Sequence, residues 1–232
     1  MKTTSSTAAL VCVFAATFAG MALAEDDKKP AAAVGGTWST EVATAGDGIV
    51  LDEKQTELVK QVDKYFNDMG DLKGAFLQTG ADAKKMKGKF FLQRPGKFRF
   101  EYSPPSKQLI VSNGQNLAIQ DADIDTEDRV ELDQTPFRLL LRKEVNLARD
   151  AKIMQLEDSD ETLVVALQDK SPDSPGKIKL LLTKKPELQL KEWTTLDAQN
   201  LETKVEVSDL SKPDKVDPEL FVIKPMGLMN HP

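Results

Sequence analysis

The stretch Gly88-Lys89-Phe90-Phe91-Leu92-Gln93-Arg94-Pro95-Gly96-Lys97-Phe98-Arg99-Phe100-Glu101-Tyr102 decides the fold. Phe90, Leu92 and Arg94 fall on one side of a two-residue repeat, together with Met86. Pro95-Gly96 breaks the run. Phe98, Phe100 and Tyr102 then take one face while Lys97, Arg99 and Glu101 take the other. Alternation on both sides of a Pro-Gly turn spells two antiparallel strands, each apolar on one face and wet on the other.

The same period runs outward from this hairpin. Downstream come Leu109 to Ser112, a turn at Asn113-Gly114, then Leu117 and Ile119 opposed by Ala118 and Gln120, and Val130 and Leu132 alternating with Arg129, Glu131 and Asp133. Strands resume over Lys152 to Leu156, Thr162 to Gln168, Lys177 to Thr183, Leu188 to Leu196 and Thr203 to Val207. Two helices interrupt the pattern. Asp52-x-x-Gln55 has the form of a capping box, and Leu58, Val62, Tyr65, Phe66 and Met69 form a helical stripe that stops at Gly70. Thr135-Pro136 leads into Phe137, Leu139, Leu140 and Leu141, with the proline expected at the first helical position.

Size turns this pattern into a clue. About ten strands at about 4.8 Å spacing make a sheet roughly 48 Å wide, and two helices about 10 Å across cover less than half of its apolar face. The sheet must curl. A sheet wrapped around a helical plug, with apolar room left between them, satisfies that constraint, and such mouths bind apolar ligands. A fully packed curled sheet without a cavity satisfies it too.

The chain has 232 residues, 31 Lys+Arg against 37 Asp+Glu, and a net charge of −6. One globular domain with tails is expected, and the negative balance argues against nucleic acid or an anionic membrane face as a partner. Residues 1–24 read as a cleavable signal peptide: Lys2 is followed by an apolar run, and Ala22-Leu23-Ala24 supplies the small residues of a cleavage site. Residues 25–50 mix charges, alanines, glycines and a proline without period, as a flexible tether would, and residues 51–232 form the domain.

Cys12, the one cysteine, lies inside the signal, and the one histidine, His231, is second-last. Thiolate catalysis, disulfides, cysteine-held metals and a Ser-His-Asp triad therefore lack their residues in the exported chain. No enzyme and no cofactor are expected. Asp121-x-Asp123-x-Asp125 begins like a calcium loop, but Thr126 occupies the glycine position and Leu132 the bidentate glutamate position. A solvated acidic hairpin is the expectation there.

Phe76-x-Gln78, the quoted Gly88 to Tyr102 segment, Pro105, Val111-Ser112-Asn113-Gly114, Thr135-Pro136 before Leu139-Leu140, Leu190-x-x-Trp193 with Asp197, and Leu220-Phe221 with Pro225 together resemble the LolA family of periplasmic lipoprotein carriers. The resemblance spans about residues 53 to 225. It implies a mainly β fold with a helical lid: an incomplete antiparallel β-barrel of about 10–11 strands enclosing helices over a hydrophobic cavity. It also implies a monomeric periplasmic chaperone for the acyl chains of lipoproteins. Such a carrier receives them from an inner-membrane ABC-type releasing complex and hands them to an outer-membrane receptor or the outer membrane itself. On that reading Phe90, Leu92, Phe98, Phe100, Tyr102, Leu117, Ile119 and Leu180, with Phe137 and Leu140 of the lid, line the acyl-chain cavity. Arg94 has the parity of Phe90 and Leu92, and its inward guanidinium needs acceptors; the resemblance makes it a latch that holds the lid closed. In the turn after Asp197 the family more often has glycine where this chain has Ala198-Gln199-Asn200, and asparagine tolerates the left-handed region. A sensor of lipoproteins, or a carrier of another lipid, would use the same barrel.

Overall fold

Asp52 starts the first helix as its capping box predicts. The Asp52 carboxylate accepts from Gln55 N at 2.7 Å, and Gln55 Oε1 accepts from Asp52 N at 3.0 Å. Helix α1 (Glu53–Asp68) buries Leu58, Val59, Val62 and Phe66, so Val59 joins the expected stripe. The computed structural model describes residues 47–197 and 199–226; the signal-peptide expectation, His231 and all of the tether before Asp47 lie outside them.

Eleven strands follow: β1 (Leu72–Thr79), β2 (Lys85–Gln93), β3 (Lys97–Tyr102), β4 (Gln108–Asn113), β5 (Asn116–Asp121), β6 (Thr126–Glu131), β7 (Ala151–Asp158), β8 (Thr162–Asp169), β9 (Lys177–Thr183), β10 (Gln189–Leu196) and β11 (Glu202–Ser211). They form one antiparallel sheet in the order β6-β5-β4-β3-β2-β1-β11-β10-β9-β8-β7, open at β6 and β7. Each half is a meander of hairpins. The two halves join where β1 pairs β11, with Phe76 opposite Val207 and Gln78 opposite Val205. Register shifts in β1 at Lys73/Ala75, in β7 at Ile153/Gln155 and in β10 at Leu190/Glu192 place bulges that bend the strands and curl the sheet.

The quoted hairpin forms as read. Phe90 pairs Phe100 and Leu92 pairs Phe98, so the apolar residues of both strands share the inner face. Its turn needs glycine at one place: Gly96 has φ +70°, and a Cβ there would sit 3.0 Å from both Gly114 Cα and a Leu132 methyl. Gly88 matters differently, because a Cβ would meet the Phe76 ring at 2.7 Å and Glu101 O at 2.0 Å. The missing side chain lets Phe76 lie flat across β2. Asn200 takes φ +60°, the region expected of it.

The second helical piece differs from expectation. Residues 132–150 cross from β6 to β7 and contain two single-turn helices, α2 (Arg138–Leu141) and α3 (Leu147–Asp150), after a 3-10 turn at Leu132–Gln134. Phe137 is the N-cap of α2, so Pro136 precedes the helix and its carbonyl accepts from Leu139 N at 3.3 Å. Thr135, bonded through its own hydroxyl and N–H to Leu132 O, ends the preceding turn and displaces the helix start.

The outer face is covered over β3 and β4. Val111 and Ala118 point away from the concave side yet are buried. A C-terminal strap with its 3-10 turn at Pro218–Phe221 lies against β3 and β4, burying Val216 and Phe221. Arg99 Nη1 donates to Leu220 O at 3.2 Å and Gln120 Nε2 donates to Lys224 O at 2.6 Å, which fix the strap.

The central packing of β8 and β9 has a measurable weight. Leu167 is fully buried on the inner face of β8. Leu167→Ala is expected to lower unfolding free energy by about 2–5 kcal/mol in urea titrations; a loss under about 1 kcal/mol would contradict the packed inner face.

Candidate functional site

Between α1, the crossover and the inner faces of β1 to β5 and β9 to β11 lies a cavity of about 90 Å³ with an almost wholly apolar wall. Strand parity explains the wall, since every inner residue of a curled sheet points at the same space. Phe100 is its hub. Its ring stacks on Phe90 at 5.4 Å and meets Phe76, Phe98 and Trp193 edge-on at 5.0, 5.9 and 6.0 Å. Such contacts add about 0.5–1.5 kcal/mol each beyond area burial and fix the ring positions.

Of the residues expected to line a cavity, Phe90, Leu92, Phe98, Phe100, Tyr102, Leu117, Phe137, Leu140 and Leu180 do line it. Ile119 does not. It shares strand β5 and parity with Leu117, but two residues further along the strand it is half-buried against the core beyond the cavity wall.

The crossover closes the concave side by inserting Phe137. That ring sits between Phe98 at 6.1 Å and Trp193 at 6.4 Å. Three sets of polar contacts hold the crossover there. Near the β2–β3 turn, Gly96 N donates to Leu141 O at 2.9 Å, and Arg94 Nη2 donates to the carbonyl of Arg142. On the far side, Arg138 grips Asp169 with Nε on one carboxylate oxygen and Nη2 on the other at 3.0 Å. The Asp169 side chain is fully buried and also accepts from Ser171 N at 2.7 Å. Underneath, Asn67 of α1 both donates to Val145 O at 2.9 Å and accepts from Val145 N at 2.8 Å, while Asp63 accepts from Leu147 N at 2.9 Å.

The electrostatics separate these contacts. Burial raises the Asp63 carboxyl above its ordinary value, partly offset by the Leu147 N–H. The Arg149 hydrogen bonds hold Asp150 below the usual carboxylate range, and Arg142, 3.1 Å from Asp150, adds to that. The Asp169 hydrogen bond raises Arg138, whereas burial alone lowers Arg94. Among the described residues Arg94 has one acceptor and a buried Nη1 with no partner. Arg138 is therefore satisfied where it stands, and Arg94 is not.

No cluster of His, Cys, Asp and Glu able to hold a metal occurs among the described residues. Asp121, Asp123 and Asp125 stand in the β5–β6 hairpin, where Asp123 accepts from Lys107 N at 3.1 Å and Asp121 accepts from Asp123 N at 2.9 Å. No helix among the described residues is long and apolar enough to cross a membrane.

Other wall residues, several of them named in the sequence motifs, are not among those expected to line the cavity. Trp193 and Leu190 come from β10, Val205 and Val207 from β11, and Tyr65 from α1, whose hydroxyl accepts from Leu190 N at 3.0 Å. The parity of Trp193 with Thr195, and of Val205 with Val207, carries the signal, but the bulge at Leu190/Glu192 breaks it on the tryptophan side.

Residues 67–224 match the family described as outer membrane lipoprotein carrier protein LolA. Curated relatives named outer-membrane lipoprotein carrier protein include one from Alkalilimnicola ehrlichii, 36% identical over 67 residues, covering 27% of this chain and 31% of the relative. One from Neisseria meningitidis serogroup C is 37% identical over 73 residues, covering 30% and 35%. One from Francisella tularensis subsp. novicida is 28% identical over 136 residues, covering 54% and 65%. The chain thus spans about a third of the length of the first two and under two thirds of the last. Among solved structures, a LolA superfamily protein from Nitrosomonas europaea aligns with TM-score 0.40 and 12% identity over 71% of this chain and 97% of the other. The Pseudomonas aeruginosa MucA/MucB complex gives TM-score 0.40 and 12% identity over 71% and 60%. With a family match that takes in most of its length and an open antiparallel sheet closed by a short helical crossover, the chain belongs to the LolA family.

Proposed function

We propose that this protein is a periplasmic chaperone that takes the acyl chains of lipoproteins released from the inner membrane into its cavity and delivers them to the outer membrane. The observation that carries this reading is the apolar cavity closed by the crossover, whose Phe137 ring stands in its wall between Phe98 and Trp193. Residues 1–24 serve as the export signal and 25–50 as the tether, and no step requires catalysis. Its partners are the acylated lipoprotein, an ATP-driven releasing complex and an acceptor at the outer membrane.

The energetics fit a carrier rather than a permanent binder. Each buried CH₂ contributes about 0.8 kcal/mol, so a chain of about a dozen carbons gains on the order of 10 kcal/mol before entropy and opening costs are subtracted. Release needs a competitor of comparable weight. Phe137, Leu140 and Leu141 supply it when the lid closes and the empty protein covers its own apolar wall. At about 90 Å³ the closed cavity leaves little room for long chains, so loading moves the lid. The Arg94 end is the end that lets go, because beside the backbone bond from Gly96 to Leu141 it has one side-chain bond, Arg94 to Arg142, and an Nη1 unpaired among the described residues, while the bidentate Arg138–Asp169 pair acts as the pivot.

Purified protein added to energised inner-membrane vesicles with ATP is expected to bring acylated lipoprotein into the soluble fraction as a one-to-one complex. A failure to do so with an active releasing complex would move the function to sensing lipoproteins or carrying another lipid. Arg94→Leu removes a bond made only in the closed form, so loaded protein should release cargo to acceptor membranes about tenfold more slowly, the scale of one hydrogen bond to a charged group. Release at the wild-type rate would remove Arg94 from the latch. Asp169→Leu leaves Arg138 without its buried partner and is expected to cost about 3–5 kcal/mol in global stability by urea titration, a loss that Arg94→Leu should not show.

A further inference from the structure

One end of the cavity carries a polar group that closing the lid does not explain. Gln78 lines the cavity and is 2% exposed. Among the described residues its carboxamide makes one hydrogen bond, accepted at Oε1 from the Tyr102 hydroxyl, and the amide nitrogen donates to nothing. Tyr102 is itself 8% exposed, and burial holds its phenol protonated far above its ordinary value, so it remains a donor. Thr195 and Thr203 line the same end; they face each other across β10 and β11, and Thr203 is 7% exposed.

The position of this group is as informative as its chemistry. Gln78 is the penultimate residue of β1, Tyr102 the last of β3, Thr195 the penultimate of β10 and Thr203 the second of β11. In an antiparallel sheet these positions share one end of the strands. Arg94 follows the last residue of β2 and therefore stands at the opposite end, about 17 Å away along β3. The Gln78 amide nitrogen is not among the sealed, unpaired polar atoms of the described residues, so its N–H pair opens into the cavity. A ligand that brings an acceptor meets a free donor there. In otherwise apolar pockets a few such groups fix the orientation of what binds.

We propose that Gln78, held by Tyr102 and flanked by Thr195 and Thr203, is the subsite for an acyl carbonyl oxygen of the cargo. The inference rests on the carrier reading and adds a direction to it. The carbonyl end of the acyl group lies at the Gln78 end, and the methyl ends run toward Phe137 and the Arg94 latch. The polypeptide part of the cargo then leaves the cavity beside the β1–β2 hairpin. An ester carbonyl of a diacylglyceryl group and an amide carbonyl of an N-acyl group both offer the required acceptor.

The test uses three synthetic lipopeptides of equal chain length and peptide: an S-diacylglyceryl-cysteine peptide, its dialkyl ether analogue, and the ether analogue carrying an N-acyl group. Affinities are measured on the full chain and on Gln78→Leu and Gln78→Met, the second matching the length of glutamine in case leucine packs badly. Wild type should bind the diester about tenfold more tightly than the diether, and both variants should lose that preference while holding the diether as tightly as wild type does. Recovery of tight binding by the N-acyl diether alone would keep the subsite and assign it to the amide carbonyl. Equal affinity of wild type for all three, or a preference that survives both substitutions, overturns the subsite while leaving the carrier intact. Failure of wild type to bind any of them overturns the carrier reading and the subsite with it.

Discussion

An open antiparallel sheet of eleven strands has more apolar inner surface than its helices can cover, and the rest of the molecule follows from that shortage. One four-turn helix, α1, packs against part of the concave face. The remainder is met by curling the sheet through bulges, by clustering aromatic rings around Phe100 and by laying the β6–β7 crossover over the opening. None of these fills the space completely, and what is left is the cavity. An unfilled apolar cavity forfeits dispersion contacts and remains costly until something occupies it.

The crossover is built to be nearly, but not fully, satisfied. Its four-residue helices are far too short to be stable alone, so tertiary contacts hold their shape. Those contacts are graded from one side to the other. The Arg138–Asp169 pair and the Asn67 and Asp63 bonds to Val145 and Leu147 fix one side and the base, whereas the Arg94 end has one backbone bond from Gly96, one charged bond and, among the described residues, one orphaned nitrogen. On the proposed carrier reading, a crossover with this gradient opens as a flap, and the apolar residues beneath it are those a lipid chain covers.

Much of this was legible in the sequence because a β-strand announces its faces by parity. Phe90, Leu92, Phe98, Phe100, Tyr102, Leu117 and Leu180 share a wall for the simple reason that alternate residues point the same way. Parity says nothing about how far along a curled sheet a residue lies, and Ile119 therefore missed the cavity. It fails at bulges, which hid Trp193 behind the irregularity at Leu190/Glu192. Helix α3 has no apolar period long enough to register, since four residues capped by Asn146 leave a single buried side chain, Leu147. Gln78 has the parity of Phe76, but a polar residue inside an apolar wall carries no hydrophobic signal; its meaning depends on the Tyr102 hydroxyl beside it.

Remaining open has a structural cost, and the chain meets it outside the cavity. Two free edges invite pairing with other chains. At β7, Ile49 N bonds to Ile153 O at 2.7 Å, so the lead-in takes up part of that edge. At β6 the sequence Thr126-Glu127-Asp128-Arg129-Val130-Glu131 lines the edge with charge, with Glu127 bonded to Gln120 and Arg129. The C-terminal strap lies over β3 and β4 on the convex side, where Val111 is buried, while Leu77, Phe91 and Leu181 on the same side stay half-buried. Closing β6 onto β7 would remove both edges at once, but it would also fix the circumference and with it the interior volume. Keeping the sheet open and protecting each edge separately leaves the circumference unfixed, so on the proposed carrier reading the same wall encloses Phe137 in the empty protein and a longer apolar chain in the loaded one.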